Sequence, residues 1–163
     1  PLTKTYSQSL KLFLKAKKNN VLLYVDEVQS FLNKKIILKK YNYITRQKQG
    51  SGNPKDLLFR FAYHDFYFLY EKVKRYKISN IKVINIKDCL EFKIDFGNKT
   101  FFFHYNLNSK KKIHTFNSIN LITKKDVLSK MIKDVLNEKV DFKNNKNKSL
   151  FANKLIDKII KKI

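Results

Sequence analysis

Apolar residues recur at every third or fourth position in several parts of this chain and at every second position in one, and these two periods predict its elements. Leu10, Leu12, Phe13, Leu14 and Ala16, set against Lys4, Lys11, Lys15, Lys17 and Lys18, predict a first helix over 3–18, ended by Asn19-Asn20. Val25, Val28, Phe31 and Leu32 keep helical spacing, whereas Ile36-Ile37-Leu38 and Tyr41, Tyr43 and Ile44 read as strand. Asn53-Pro54-Lys55-Asp56 supplies a cap, a first-position proline and an acid at the positive dipole end. The helix it starts runs to about residue 77 and carries Leu57, Leu58, Phe61, Phe66, Leu69, Tyr70, Val73 and Tyr76 on a broad apolar face.

The clearest period of two lies in 81–106. Leu90, Phe92, Ile94 and Phe96 alternate with Glu91, Lys93 and Asp95, and Gly97-Asn98 forms a two-residue turn into Lys99–Tyr105. A hairpin closed there pairs Leu90 with Tyr105, Phe92 with Phe103 and Ile94 with Phe101 on its apolar side. Its polar side sets Glu91 opposite His104 and Lys93 opposite Phe102. Residues 81–86 predict a third strand, and 113–116 a short fourth after the basic link Ser109–Lys112. Thr123, with Asp126 three residues on, starts a helix buried through Val127, Leu128, Met131, Ile132, Val135 and Leu136. The polar run Lys143–Lys148 reads as a connector, and Ser149 as the cap of an amphipathic helix over 149–163 that covers the core with Leu155, Ile156, Ile159, Ile160 and Ile163. The sum is one α+β domain over 1–163, its helices packed on a small, mostly antiparallel sheet.

Composition adds exclusions. With 43% hydrophobic residues, 3 glycines and 2 prolines, the chain is neither disordered nor of low complexity. A single cysteine, Cys89, cannot staple the fold, and His64, His104 and His114 do not complete a zinc spacing with it, so no metal or other cofactor is expected. No run reaches the ~18 apolar residues of a membrane span, and Pro1-Leu2-Thr3-Lys4 lacks the apolar core of a signal peptide. The expected location is therefore the cytoplasm or an organelle interior.

Charge changes the picture most. Lys and Arg total 36 against 13 Asp and Glu, a formal net charge of +23. AT-rich codons explain abundant lysine, but not the shortage of equally AT-rich acid codons. The expectation is a polyanionic partner, RNA or DNA, held through its phosphates by a lysine-rich surface interleaved with aromatics: Lys39, Lys40, Tyr41, Tyr43, Arg46, Lys48, Lys110, Lys111, Lys112 and His114. The run 46–53, which has no apolar residue and two glycines, reads as a flexible loop within that surface. A subunit of a larger ribonucleoprotein assembly, or an acidic protein partner, is an alternative of the same electrostatic kind.

Glu91, His104 and Lys93 offer a base, an acid and a cation on one strand face, so a small metal-independent endoribonuclease of the toxin type is the enzymatic alternative. Glu91-Phe92-Lys93 also has the Glu-x-Lys spacing of metal-dependent nucleases, although Asp88 stands at an awkward distance for a second ligand. Walker, Gly-x-Gly-x-x-Gly and Gly-x-Ser-x-Gly motifs are missing from the sequence, which removes the best signals for an ATPase, a dehydrogenase or a hydrolase.

Overall fold

The hairpin forms as its alternation predicts. In the computed structural model, which describes residues 2–31, 35–122 and 126–163, β3 (Leu90–Phe96) and β4 (Lys99–Asn106) pair in the expected register, Leu90 opposite Tyr105 through Phe96 opposite Lys99. Gly97 takes φ 58 at the first turn position, where a side chain would be strained and would also meet the Tyr76 ring. With β1 (Tyr41–Gln49), β2 (Ile78–Asn85), β5 (Asn108–Phe116) and β6 (Ile119–Asn120), the hairpin builds a six-stranded sheet of order β2-β3-β4-β1-β5-β6. β1 runs parallel to β4, and every other neighbouring pair is antiparallel.

One face of this sheet buries a layer of aromatic rings under helices. A π-helical turn, Leu58–Ala62, leads into α2 (Tyr63–Val73), whose Phe66 meets Phe92 and Phe103 edge-on, at 6.1 and 5.4 Å between ring centres. Phe92 and Phe103 stack on each other at 4.6 Å. Beside α2 lies α4 (Phe142–Ile160), held by Tyr63 to Ser149 at 2.8 Å and by the Tyr67 hydroxyl donating to the Asn145 carbonyl at 2.7 Å. α1 (Tyr6–Lys18) packs on α4, where Ser9 meets Asn153, and α3 (Val127–Leu136) completes the set. Among the described residues, four helices on a mixed, largely antiparallel sheet make the α+β domain that the periodicity predicts.

The differences have local causes. β1 runs through Arg46, Gln47, Lys48 and Gln49, so the irregular segment opens only at Gly50: a strand with partners on both sides needs no apolar side chain to stay extended. For the same reason the basic link 109–112 belongs to β5. Ile36-Ile37-Leu38 join no strand, although Ile36 reaches the core. Between 25 and 31 only a 3₁₀ turn, Val28–Phe31, forms; Leu32 and Thr123 lie outside the described residues.

The last helix begins seven residues earlier than Ser149 suggests, because Asp141 caps it by accepting from the Asn144 amide at 2.8 Å. The polar run 143–148 is helical and partly buried. Asn145 grips the Val25 backbone through both its amide oxygen and nitrogen, at 2.9 and 2.8 Å, and the Lys148 ammonium meets Glu27 at 2.8 Å. Buried polar groups with partners look, in sequence, like a solvated connector.

Candidate functional site

Asp65 occupies a helix position between Phe61 and Leu69 that the apolar period reserves for the core, and it is 1% exposed. Three strand residues reach it. The His114 ring donates from Nε2 to Oδ1 at 2.9 Å, the Tyr105 hydroxyl donates to Oδ2 at 2.9 Å, and Arg46 Nη1 stands 3.7 Å from Oδ1. Burial by itself pushes the Asp65 carboxyl up, but the charge and hydrogen bond of His114, with Arg46 and Tyr105, outweigh it and hold the group below its ordinary range. Burial and Asp65 together push the Tyr105 phenol well up, so it stays a donor.

Around this buried acid the inward side of the sheet is basic. Arg46 and Lys48 on β1 both lie over the Phe61 ring, at 4.7 and 5.5 Å from its centre. Burial first, and then the charges of Arg60, Arg46 and Lys112, lower the Lys48 ammonium from its usual range, so these four cations share one field. Arg60 projects from the π-helical turn and donates from Nη1 to the Ser51 carbonyl at 2.7 Å. Gly52, at φ +133, gives it room: a Cβ there would stand 3.2 Å from Nη1.

The helix behind them starts as the sequence predicts, Asn53 and Asp56 each accepting from the other's backbone amide, at 3.1 and 3.3 Å. The turn and the N-terminal segment enclose an open crevice of about 480 Å³ lined by Leu2, Thr3, Lys4, Gly52, Phe59 and Arg60, among others.

His64 follows one turn after Arg60, its Nδ1 buried without a hydrogen-bond partner among the described residues. Burial, then the Arg46 charge, push the ring down to about 4, so it is neutral at physiological pH. A histidine that resists protonation only when folded makes stability rise with pH wherever the unfolded chain binds the extra proton, here between about 4 and the ordinary 6.5. Urea titrations should therefore show stability falling by up to about 3 kcal/mol as pH drops through that window. The slope should flatten in His64→Asn; an unchanged slope would place its source elsewhere.

On the other side of the sheet, Glu91 and His104 pair as predicted, His104 Nδ1 to Glu91 Oε1 at 2.7 Å, with Gln47 Nε2 at 2.9 Å from the opposite ring nitrogen. Lys93 follows on that face, opposite Phe102.

The expected phosphate-binding surface is not continuous. Tyr41 and Tyr43 point outward, and Tyr43 stacks on Phe102 at 5.1 Å instead of offering a free ring. Arg46 and Lys48 point inward, and His114 is buried on Asp65. Lys39 and Lys40 precede β1, where the Lys39 backbone is bound by Asn42 and Lys40 lies over Tyr41. Lys110, Lys111 and Lys112 alternate along β5.

No protein-family model matches the chain, and no curated protein matches it. Its backbone does match solved structures, all at identities that establish the fold alone. UDP-N-acetylglucosamine 3-dehydrogenase GnnA from Acidithiobacillus ferrooxidans superposes with a TM-score of 0.75 at 10% identity, covering 100% of this chain and 68% of that one. The dehydrogenase MviM from Clostridium difficile gives 0.69 at 16% identity, over 100% and 69% of the two chains. The WlbA (WbpB) dehydrogenase from Thermus thermophilus, solved in complex with NAD and UDP-GlcNAcA, gives 0.70 at 12%, over 96% and 62%.

The chain thus shares its α+β fold with these dehydrogenases. This finding overturns the reading of the chain as an RNA- or DNA-binding protein, and with it the ribonuclease and ribonucleoprotein-subunit alternatives. The excess charge misled because alternate residues of one strand face opposite ways. Among the described residues, no helix is long and apolar enough to cross a membrane.

Proposed function

We propose that this chain is the substrate-side domain of a dinucleotide-linked oxidoreductase acting on a sugar that carries a phosphate or carboxylate. The observation that carries this reading is the fold match over the full chain to dehydrogenases, one of which is named for a nucleotide sugar and another solved with one. The crevice beside Arg60 supplies a place for such a ligand. Arg60 lines it, and Lys48, Arg46 and Lys112, which share the Arg60 field, add positive charge for the ligand's anionic group.

The residues present do not fit the dinucleotide itself. β1 leads through Gly50-Ser51-Gly52 into a helix, but Lys55 stands where the third glycine of a pyrophosphate turn belongs, and the Arg60 guanidinium packs against the loop. The parallel neighbour β4 is reached only after β2 and β3, not by the direct strand–helix–strand return of a nucleotide fold. A nicotinamide dinucleotide would be held by a separate nucleotide-binding unit, where it would supply hydride transfer.

Saturation-transfer NMR of the chain with UDP-N-acetylglucosamine, and separately with NAD, tests the proposal. The nucleotide sugar should bind, and Arg60→Ala and Lys48→Ala should each weaken it about tenfold, the value of one charge-assisted contact. Absence of binding at millimolar concentration, or binding indifferent to both substitutions, would overturn the reading.

A further inference from the structure

The outward side of the sheet gathers a second group of chemically distinct donors. Cys89 Sγ, a Glu91 carboxylate oxygen and a His104 ring nitrogen all lie within 4.8 Å of one another. We propose that these three side chains form a binding site for a divalent transition metal of the zinc class, separate from the crevice.

Strand geometry assembles them. Cys89 stands immediately before β3, Glu91 follows two residues later, and His104 is the residue directly across from Glu91 on β4. One thiolate, one imidazole and one carboxylate are the donor types that zinc and its first-row neighbours accept, at about 2.0 to 2.3 Å, leaving a fourth position open. Cys89 is 8% exposed, whereas the Glu91 and His104 side chains are about one third exposed, so the site is walled on the sulfur side and reachable from solvent on the other. A metal takes the place of the proton that His104 Nδ1 and Glu91 share at 2.7 Å.

The surrounding groups suit a bound cation. A histidine coordinating through Nδ1 carries its proton on Nε2 and needs an acceptor there. The Gln47 amide lies 2.9 Å from that nitrogen, and turned end for end it presents its carbonyl oxygen. The Asn85 amide donates to Cys89 Sγ at 3.4 Å, as a thiolate ligand requires. Glu91 and Asp88 place negative charge beside Cys89, which favours a bound cation.

Cobalt(II) is the probe, because a thiolate ligand gives it a charge-transfer band. Titrating the reduced protein with Co²⁺ should saturate at one equivalent, and Zn²⁺ should displace it. Cys89→Ser should remove the band. Glu91→Gln and His104→Gln should each weaken binding at least tenfold, and Gln47→Leu roughly tenfold or more through loss of the supporting contact. In the unaltered protein Zn²⁺ should raise the thermal midpoint and EDTA should reverse the rise, a measurement independent of any variant. No band at millimolar Co²⁺ would overturn the proposal, as would a band that persists at full affinity in both Glu91→Gln and His104→Gln.

Discussion

Replacing Asp65 by Asn should destabilise the domain by about 3 to 5 kcal/mol, the usual cost of removing one member of a buried ionic cluster. The isosteric amide keeps the volume and even a hydrogen bond from Tyr105, but it leaves the His114 ring and the Arg46 guanidinium facing each other without a counter-charge. Urea unfolding at pH 7 measures the loss directly, and for a chain of this size the thermal midpoint should fall by roughly 10 °C. Tyr105→Phe should cost less, about 1.5 to 3 kcal/mol for a hydrogen bond to a charged group, and the two changes should not add, since they act on one carboxylate.

The pH dependence has a fixed sign. The Asp65 carboxyl is held below its ordinary 3.8, so the stability it contributes is complete above that value and is lost as pH falls through the lower, folded one. Asp65→Asn should abolish that acid limb. A variant as stable as the parent would mean that the cluster contributes nothing net.

Truncating Phe103 to Ala should cost a comparable 3 to 5 kcal/mol. Phe103 is 2% exposed, stacks on Phe92, and receives the edge of Phe66 from α2, so the truncation opens a hole where the hairpin meets the helix. Chemical denaturation of Phe103→Ala beside Phe102→Ala separates burial from mere hydrophobicity. Phe102, one residue away, faces outward onto Tyr43, and its loss should cost well under half as much. Equal losses would mean that the two faces of β4 are equally buried in solution.

That contrast is also what the sequence displays most clearly. Strict alternation from Leu90 to Tyr105 around Gly97-Asn98 fixes which rings face inward and which residues pair, because side-chain direction in a strand has a period of two. The Asn53–Asp56 helix start is equally local, two side chains capping across three residues.

The buried acid cluster was harder to read, because its members come from distant positions: Arg46, Tyr105 and His114 reach Asp65 of α2 only once β1, β4 and β5 are side by side. One signal was present. Asp65 interrupts the stripe of Leu58, Phe61, Leu69 and Val73 at a core position, and an acid there requires buried partners. The charge excess pointed the wrong way, since a composition of +23 does not say which lysines share a face. The missing glycine-rich turn also pointed away from a dehydrogenase fold, because that turn marks a dinucleotide site and not a fold.

The central position of β1 imposes an order of events on the ribosome. Of its two neighbours, β4 ends the β2–β3–β4 meander and β5 follows it, so β1 leaves the exit tunnel about fifty residues before either can receive it. The meander, whose partners are adjacent in sequence, closes early, while insertion of β1 between its two late-arriving neighbours is the slow, long-range closure that completes the domain.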